Sequence, residues 1–164
     1  MGFDQAQGEV LMILDGDLTV PPEQLEKFWG AIVSGKGEYI NGSRLIYPME
    51  GEAMRFLNLV ANWGFSLIFT WLLNQRVTDT LCGTKVLLKS DYKKWKKEKE
   101  YFSAYDPFGD FDLLFCCSKL NLKMIEIPIY YRERQYGNTQ IQRFKNGWQL
   151  LKLTSHGYMK LKAF

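Results

Sequence analysis

The sequence has few of the residues that mark metal clusters, disulfide frameworks or strongly charged proteins. It holds 3 cysteines and 1 histidine in 164 residues, and Cys82, Cys116 and Cys117 lack the spacing of metal ligands. The odd count favours free, mostly buried thiols in a reducing, cytoplasmic compartment. The histidine, His156, lies outside every motif, which favours a structural role. A net charge of +3 is too small to indicate nucleic-acid binding.

Apolar residues are abundant enough for a folded core. They make up 46% of the chain and aromatics 15%, which excludes a disordered protein. The length fits one domain over residues 1–164. Charge is uneven, because residues 142–164 carry five Lys or Arg and no Asp or Glu.

One long run lacks formal charge, from Phe56 to Gln75. Its twenty residues reach the length that spans a bilayer. Polar residues such as Asn62 and Ser66 interrupt the run, which favours a buried or interfacial helix. We expect its aromatic residues to lie in the core: Trp63, Phe65, Phe69 and Trp71.

The hydrophobic pattern predicts alternating strands and helices, which indicates an α/β fold. The apolar run Glu9–Leu14 is typical of a strand buried on both faces, and Pro128 predicts an edge position for the last strand. The predicted strands are 9–14, 39–41, 84–88 and 124–131. The predicted helices are 20–35, 51–74, 91–99, 112–120 and an amphipathic one at 141–161.

The acidic triplet Asp15-Gly16-Asp17 directly follows the first predicted strand. Open α/β sheets bind ligands at this end of their strands. Two carboxylates suit Mg²⁺ or Mn²⁺ and leave coordination positions for water and a diphosphate. Taken alone, the triplet is equally well explained as a polar turn.

The triplet is one of several motifs that resemble the family 2 glycosyltransferases of the GT-A fold. Within that family the similarity is to dolichyl-phosphate and polyprenyl-phosphate sugar transferases. The motifs occur in the family's order: Gly8–Asp17, Pro21–Glu23, Asn41–Arg44, Arg55 with Asn58 and Asn62, Asp79–Lys85, Phe108–Asp112 and Glu126–Thr139.

The resemblance implies a partial GT-A (Rossmann-like) fold, with a mixed sheet flanked by helices and an amphipathic C-terminal helix. It covers the C-terminal two-thirds of such a catalytic domain. No segment before the first strand could hold a nucleobase, so we expect the nucleotide-binding part to be missing. The implied reaction is a metal-assisted, inverting transfer of a hexose from a UDP- or GDP-sugar to a polyprenyl phosphate or a hydroxyl acceptor.

The resemblance also assigns roles to residues. Asp15 and Asp17 bind the metal, and Asp15 also faces the diphosphate; Thr19 replaces a frequent glutamine. The expected phosphate and substrate contacts are Arg44, Arg55, Arg134, Gly137 and Thr139. The candidate catalytic acids are Asp79, Asp110 and Asp112. Asp79 is either a base or a group that orients the loop and the metal, and Asp110 and Asp112 compete for one family position.

Two other readings remain. A truncated or degenerate half-domain would bind no nucleotide and would self-associate through an exposed strand edge. A nucleotidyltransferase would need a glycine-rich basic loop near the N-terminus, which is absent.

The basic, apolar terminal helix indicates peripheral contact with the cytoplasmic face of a membrane.

Overall fold

The computed structural model describes residues 2–46, 56–102, 109–132 and 143–163. Its strands are β1 (Val10–Ile13), β2 (Tyr39–Ser43), β3 (Lys85–Leu88) and β4 (Met124–Pro128). Its helices are α1 (Gly2–Gln5), α2 (Leu25–Val33), α3 (Phe56–Leu73), α4 (Lys89–Phe102), α5 (Asp110–Lys119) and α6 (Arg143–Leu161). The predicted alternation is confirmed; α1 was not predicted.

The four strands form one mixed sheet in the order β1-β3-β2-β4. β3 pairs antiparallel with β1 and with β2, whereas β2 and β4 run parallel. Among the described strands the last one lies at an edge, as Pro128 predicted, because proline has no N–H to donate to a further strand.

The prediction that the first strand is buried on both faces is wrong. Leu11 is the buried residue of β1, and its other three residues are half-buried. Within the described ranges, β1 pairs on one side only, with β3. An apolar run of this length does not reveal whether a strand lies inside a sheet or at its edge.

Helices cover both faces of the sheet, which confirms the α/β layer architecture. On one face α2 packs Phe28 and Ile32 against Ile40 and Val86. On the other face, α3, α5 and α6 form a larger core whose members include Phe69, Phe111, Phe115 and Leu153, together with Leu11 and Tyr39 from the sheet. Neighbouring strand residues such as Tyr39 and Ile40 thus enter opposite cores, as the period of a strand requires.

Prolines and glycines set the limits of α2. A single 3₁₀ turn at Pro22–Gln24 leads into it, and proline is tolerated there because the first N–H groups of a helix have no intrahelical partner. Gly35 follows the helix with φ = +69°, a conformation that side chains other than glycine rarely adopt.

The aromatic residues of α3 divide between the core and the surface. Phe69 is fully buried and Phe65 packs partly against the core. Trp63 and Trp71 are 63% and 57% exposed, so their predicted place in the core is wrong. Among the described residues, no helix has both the length and the apolar character needed to cross a bilayer.

The three cysteines are free and buried, as the sequence predicted. Burial raises the pKa of Cys82 to about 11, which keeps this thiol protonated at neutral pH. His156 is buried on α6. The next residue, Gly157, faces the Phe115 ring so closely that an added Cβ would come within 2.7 Å of it.

Candidate functional site

Asp15 and Asp17 lie in a tight turn that follows β1. The turn is closed by the Leu18 N–H, which donates to the Asp15 carbonyl at 3.2 Å, and Leu18 has φ = +53°. Thr19 donates to Asp17 Oδ1 from its backbone N–H at 3.1 Å and from its hydroxyl at 2.8 Å. Thr19, which stands where the family often has glutamine, therefore orients one of the two acids.

Asp15 packs directly against the loop that precedes β3. A Cβ placed on Gly83 would fall 2.4 Å from Oδ2 and 2.6 Å from Oδ1 of Asp15. Only glycine therefore leaves this carboxylate in its position. Gly83 therefore belongs to the site, because it makes room for the Asp15 carboxylate.

Neighbouring charges act on Asp15 from several directions. The pKa of Asp15 is raised, first because protein atoms exclude water from the carboxylate, and then because Asp17 and Asp110 are negative. Lys85 and Arg44 oppose this increase. The structure thus brings three predicted acids and one predicted arginine into one electrostatic environment.

Lys85 is a buried cation within this environment. Its ammonium group lies 3.2 Å from Asp110 Oδ1, has no solvent exposure and donates a hydrogen bond to the Cys82 carbonyl. A buried charge is tolerated where it is paired in this way. The sequence contained a signal for it, a lysine at the start of the apolar strand 85–88, but we predicted no role for Lys85.

Arg44 and Asp79 form a two-point ion pair at the end of β2. Arg44 Nε lies 2.6 Å from Asp79 Oδ2, and its NH2 group lies 2.7 Å from Oδ1. The Arg44 backbone N–H also donates to Oδ2, at 3.1 Å. Although burial opposes the charged carboxylate, these contacts with Arg44 lower the pKa of Asp79.

These contacts favour an orienting role for Asp79 over that of a base. Asp79 is fully buried, and Oδ1 also accepts hydrogen bonds from the Leu81 N–H at 3.1 Å and from Asn62 Nδ2 at 3.3 Å. A general base must reach the proton that it removes and must hold a pKa near the working pH. Neither condition fits a buried carboxylate whose pKa is lowered.

A second acid, which is half-buried and which the sequence did not lead us to predict, fixes the same loop. Glu126 of β4 accepts hydrogen bonds from the Thr78 N–H at 2.8 Å, the Thr78 hydroxyl at 2.7 Å and the Asp79 N–H at 3.2 Å. Asn41 donates to Glu126 at 3.3 Å and to the Asp79 carbonyl at 2.9 Å. The parallel register of β2 and β4 pairs Asn41 with Glu126 and so creates this contact.

Asp110 and Asp112 both lie in the first turn of α5, after Gly109 with φ = +74°. Asp110 is partly exposed and faces Lys85, and its charge acts on Asp15. Asp112 is buried, and its carbonyl accepts a hydrogen bond from Trp95 Nε1 at 3.3 Å. Of the two, the geometry favours Asp110 as the acid of the site.

Four predicted site residues, Arg55, Arg134, Gly137 and Thr139, lie outside the described residues. Across the described ranges, no group of three or more His, Cys, Asp or Glu is arranged to hold a metal ion. A cleft of about 480 Å³ lies elsewhere, at the C-terminal ends of α3, α5 and α6, and contains none of the site's acids or arginines. The predicted metal pair, Asp15 and Asp17, would therefore depend on ligands from water and the diphosphate.

Two comparisons with known proteins bear on the family of this chain. The family described as Glycosyl transferase family 2 matches residues 1–96, a range that includes Asp15, Asp17, Arg44 and Asp79. UDP-N-acetylglucosamine–dolichyl-phosphate N-acetylglucosaminyltransferase of Methanococcus voltae is 26% identical over 147 residues. That alignment covers 88% of this chain, which spans 58% of the relative's length. The chain belongs to glycosyl transferase family 2.

Proposed function

We propose that this chain takes part in the transfer of a sugar from a nucleoside-diphosphate sugar to a polyprenyl phosphate. The observation that carries the proposal is the Asp15–Asp17 turn, packed on Gly83 beside the Lys85–Asp110 and Arg44–Asp79 pairs. The two acids of the turn offer oxygen ligands for a metal that binds phosphate oxygens, and Lys85 and Arg44, each paired with an acid, add positive charge beside the turn.

A divalent cation fits the acidic side of this site. Asp15 and Asp17 would hold Mg²⁺ or Mn²⁺, both of which prefer oxygen ligands. The raised pKa of Asp15 reflects the exclusion of water and the repulsion from Asp17 and Asp110, and a bound cation would relieve the repulsion. When bound, the ion would neutralise negative charge on the leaving nucleoside diphosphate.

A phosphate acceptor fits the buried state of Asp79 better than a hydroxyl acceptor does. A lipid phosphate is already ionised and needs no strong base, whereas a hydroxyl must lose its proton. The relative from Methanococcus voltae is named for transfer to dolichyl phosphate from UDP-N-acetylglucosamine, which supports the same acceptor class and a UDP-sugar donor. Arg55 and Arg134 remain predicted phosphate contacts, and inversion at the sugar remains part of the proposal.

Calorimetric titration tests the proposal directly. We expect UDP or a UDP-sugar to bind in the presence of Mn²⁺, and Asp15→Asn to weaken this binding at least about tenfold, since one metal ligand is lost. Glu26→Gln, which removes an exposed acid on α2, is the matched control and should leave the affinity unchanged.

The pH dependence offers a second readout. Because the pKa of Asp15 is raised, Mn²⁺ affinity should begin to fall at a higher pH than for an ordinary carboxylate. If UDP, UDP-glucose, UDP-N-acetylglucosamine and GDP-mannose all give no heat with a folded chain, the proposal is overturned. That result would favour the non-catalytic half-domain.

A further inference from the structure

Lys85 lies at the centre of the described sheet, between the two parts of the candidate site. β3 runs between β1 and β2, and Lys85 pairs with Ile13 on one side and with Asn41 on the other. Ile13 ends β1, two positions before Asp15 and its turn. Asn41 donates to the Asp79 carbonyl and so holds the loop that precedes β3. A change at Lys85 therefore reaches both the turn and this loop.

The side chain of Lys85 points to the face of the sheet that α5 covers. Leu87, two positions along β3, belongs to the same core as Phe111 of α5, and alternate residues of a strand share a face. Asp110, the first residue of α5, lies 3.2 Å from the Lys85 ammonium group. That group also donates to the Cys82 carbonyl. One buried cation therefore joins β3, the loop before it and the first turn of α5.

The charges around the acidic turn do not cancel. Besides the exclusion of water, which acts first, the charges of Asp17 and Asp110 raise the pKa of Asp15, and that of Lys85 opposes them. When ionised, these three carboxylates and one ammonium group leave two net negative charges, which one divalent cation neutralises. The ion pair at the end of β2 is neutral as a whole. Without Lys85 a third negative charge would oppose the binding of a diphosphate.

We propose that Lys85 is a positioning residue that acts through Asp110: its fixed charge balances this acid, so that the Asp15 turn accepts a diphosphate together with a divalent cation. The inference rests on the proposed function. Lys85 itself touches no ligand, because its side chain has no solvent exposure and its ammonium group is bound to Asp110 and to the Cys82 carbonyl.

A purely structural role for Lys85 predicts a different result. Its contacts with Asp110 and with the Cys82 carbonyl would then serve only to hold the loop and α5 together. Loss of these contacts would disturb the turn for every ligand. Loss of a positive charge, in contrast, makes the potential at the turn more negative, which favours a bare cation and disfavours an anion. The response to the cation alone thus separates the two roles.

Calorimetry with Mn²⁺ alone, and with UDP at saturating Mn²⁺, measures the two responses. Lys85→Met should bind Mn²⁺ at least as tightly as the wild type and should bind UDP at least about tenfold more weakly. Lys89→Met is the matched control. Lys89 directly follows the other end of β3 and donates to the Ala6 carbonyl, away from the acids, so its loss should change neither affinity.

The variant Lys85→Met/Asp110→Asn removes both charges and restores two net negative charges at the turn. A buried ion pair can be replaced by neutral side chains without loss of the fold, so this variant should fold even if Lys85→Met does not. Circular dichroism checks the fold of each variant. UDP affinity of the double variant should return to within about threefold of the wild type, because the two changes act on one potential with opposite signs.

Three results would overturn the role of Lys85 alone. They are equal weakening of Mn²⁺ and UDP binding in Lys85→Met, unchanged UDP binding in this variant, and a double variant that binds UDP at least about tenfold more weakly than the wild type. If the wild type binds neither Mn²⁺ nor UDP, the proposed function itself fails and the inference falls with it. Wild-type binding is thus the measurement that distinguishes the two failures.

Discussion

Breaking the Arg44–Asp79 pair should destabilise the fold by a large part of its total stability. Asp79→Asn keeps the size of the side chain but leaves the Arg44 guanidinium, whose side chain is 12% exposed, without its buried counter-charge. Removing one partner of a buried pair costs about 3–5 kcal/mol. Since Arg44 keeps some contact with water, we expect the lower end of this range. The whole free energy of unfolding of a single domain is about 5–15 kcal/mol.

Urea unfolding of a double-mutant cycle measures this contribution. Arg44→Met, Asp79→Asn and the double variant should give a coupling free energy of about 2 kcal/mol or more, because the residues share two short charge-assisted hydrogen bonds. Lys96→Met, which breaks the exposed pair of Lys96 with Asp4, should leave the unfolding midpoint almost unchanged. A coupling energy within about 0.5 kcal/mol of zero would refute the claim that this pair holds the loop.

The same pair predicts how stability depends on pH. The pKa of Asp79 is lower in the folded chain than the value of about 3.9 expected when unfolded. The stabilisation that ionised Asp79 gives to the fold is therefore fully present above pH ~4. It is lost as the pH falls through the pKa of Asp79 in the folded chain. Unfolding free energies measured between neutral and acidic pH should fall less steeply in Asp79→Asn than in the wild type.

Three other substitutions test separate contacts. Gly83→Ala should displace the Asp15 carboxylate and weaken Mn²⁺ binding at least about tenfold by calorimetry, with little change in circular dichroism. Glu126→Gln puts an NH₂ group among N–H donors, so urea unfolding should show a loss of about 1–3 kcal/mol; an unchanged midpoint would contradict the hydrogen bonds described. Gly157→Ala should lower the melting temperature through its clash with an aromatic ring, whereas Gly147→Ala on the same helix, where a Cβ meets nothing, should raise it.

Local patterns predicted the secondary structure well, because strand and helix periods are properties of neighbouring residues. The positions of β2, β3 and α5 followed from short apolar runs and from the glycines around them. The place of β1 at one end of the described strand order did not follow, since it depends on pairing with β3, more than seventy positions along the chain. Sheet order is set by long-range contacts that no local run encodes.

The exposed aromatics of α3 show a second limit. Helical spacing places Trp63 and Trp71 on one side of the helix and Phe69 on the other. Both sides are apolar, so the pattern cannot tell which one the fold buries. That choice depends on how α5 and α6 pack against α3.

The acids of the candidate site were predicted from the sequence, but the groups that hold these acids in place were not. Asp15, Arg44 and Asp79 could be named from motifs along the chain. Lys85 and Glu126 belong to the same motifs, but we predicted no role for them, because their partners come from a distant helix and from a parallel register between strands. Buried polar groups require partners, but the sequence does not show which partners the fold supplies.

Two consecutive residues of α3 face opposite surroundings. Asn62 points inward and donates to Asp79, while Trp63, its neighbour, points outward into solvent. Because an α-helix with its side chains is about 10–12 Å across, roughly one helix diameter separates Asp79 from the solvent that Trp63 meets. The width of this one helix thus keeps water away from the Arg44–Asp79 pair on that side.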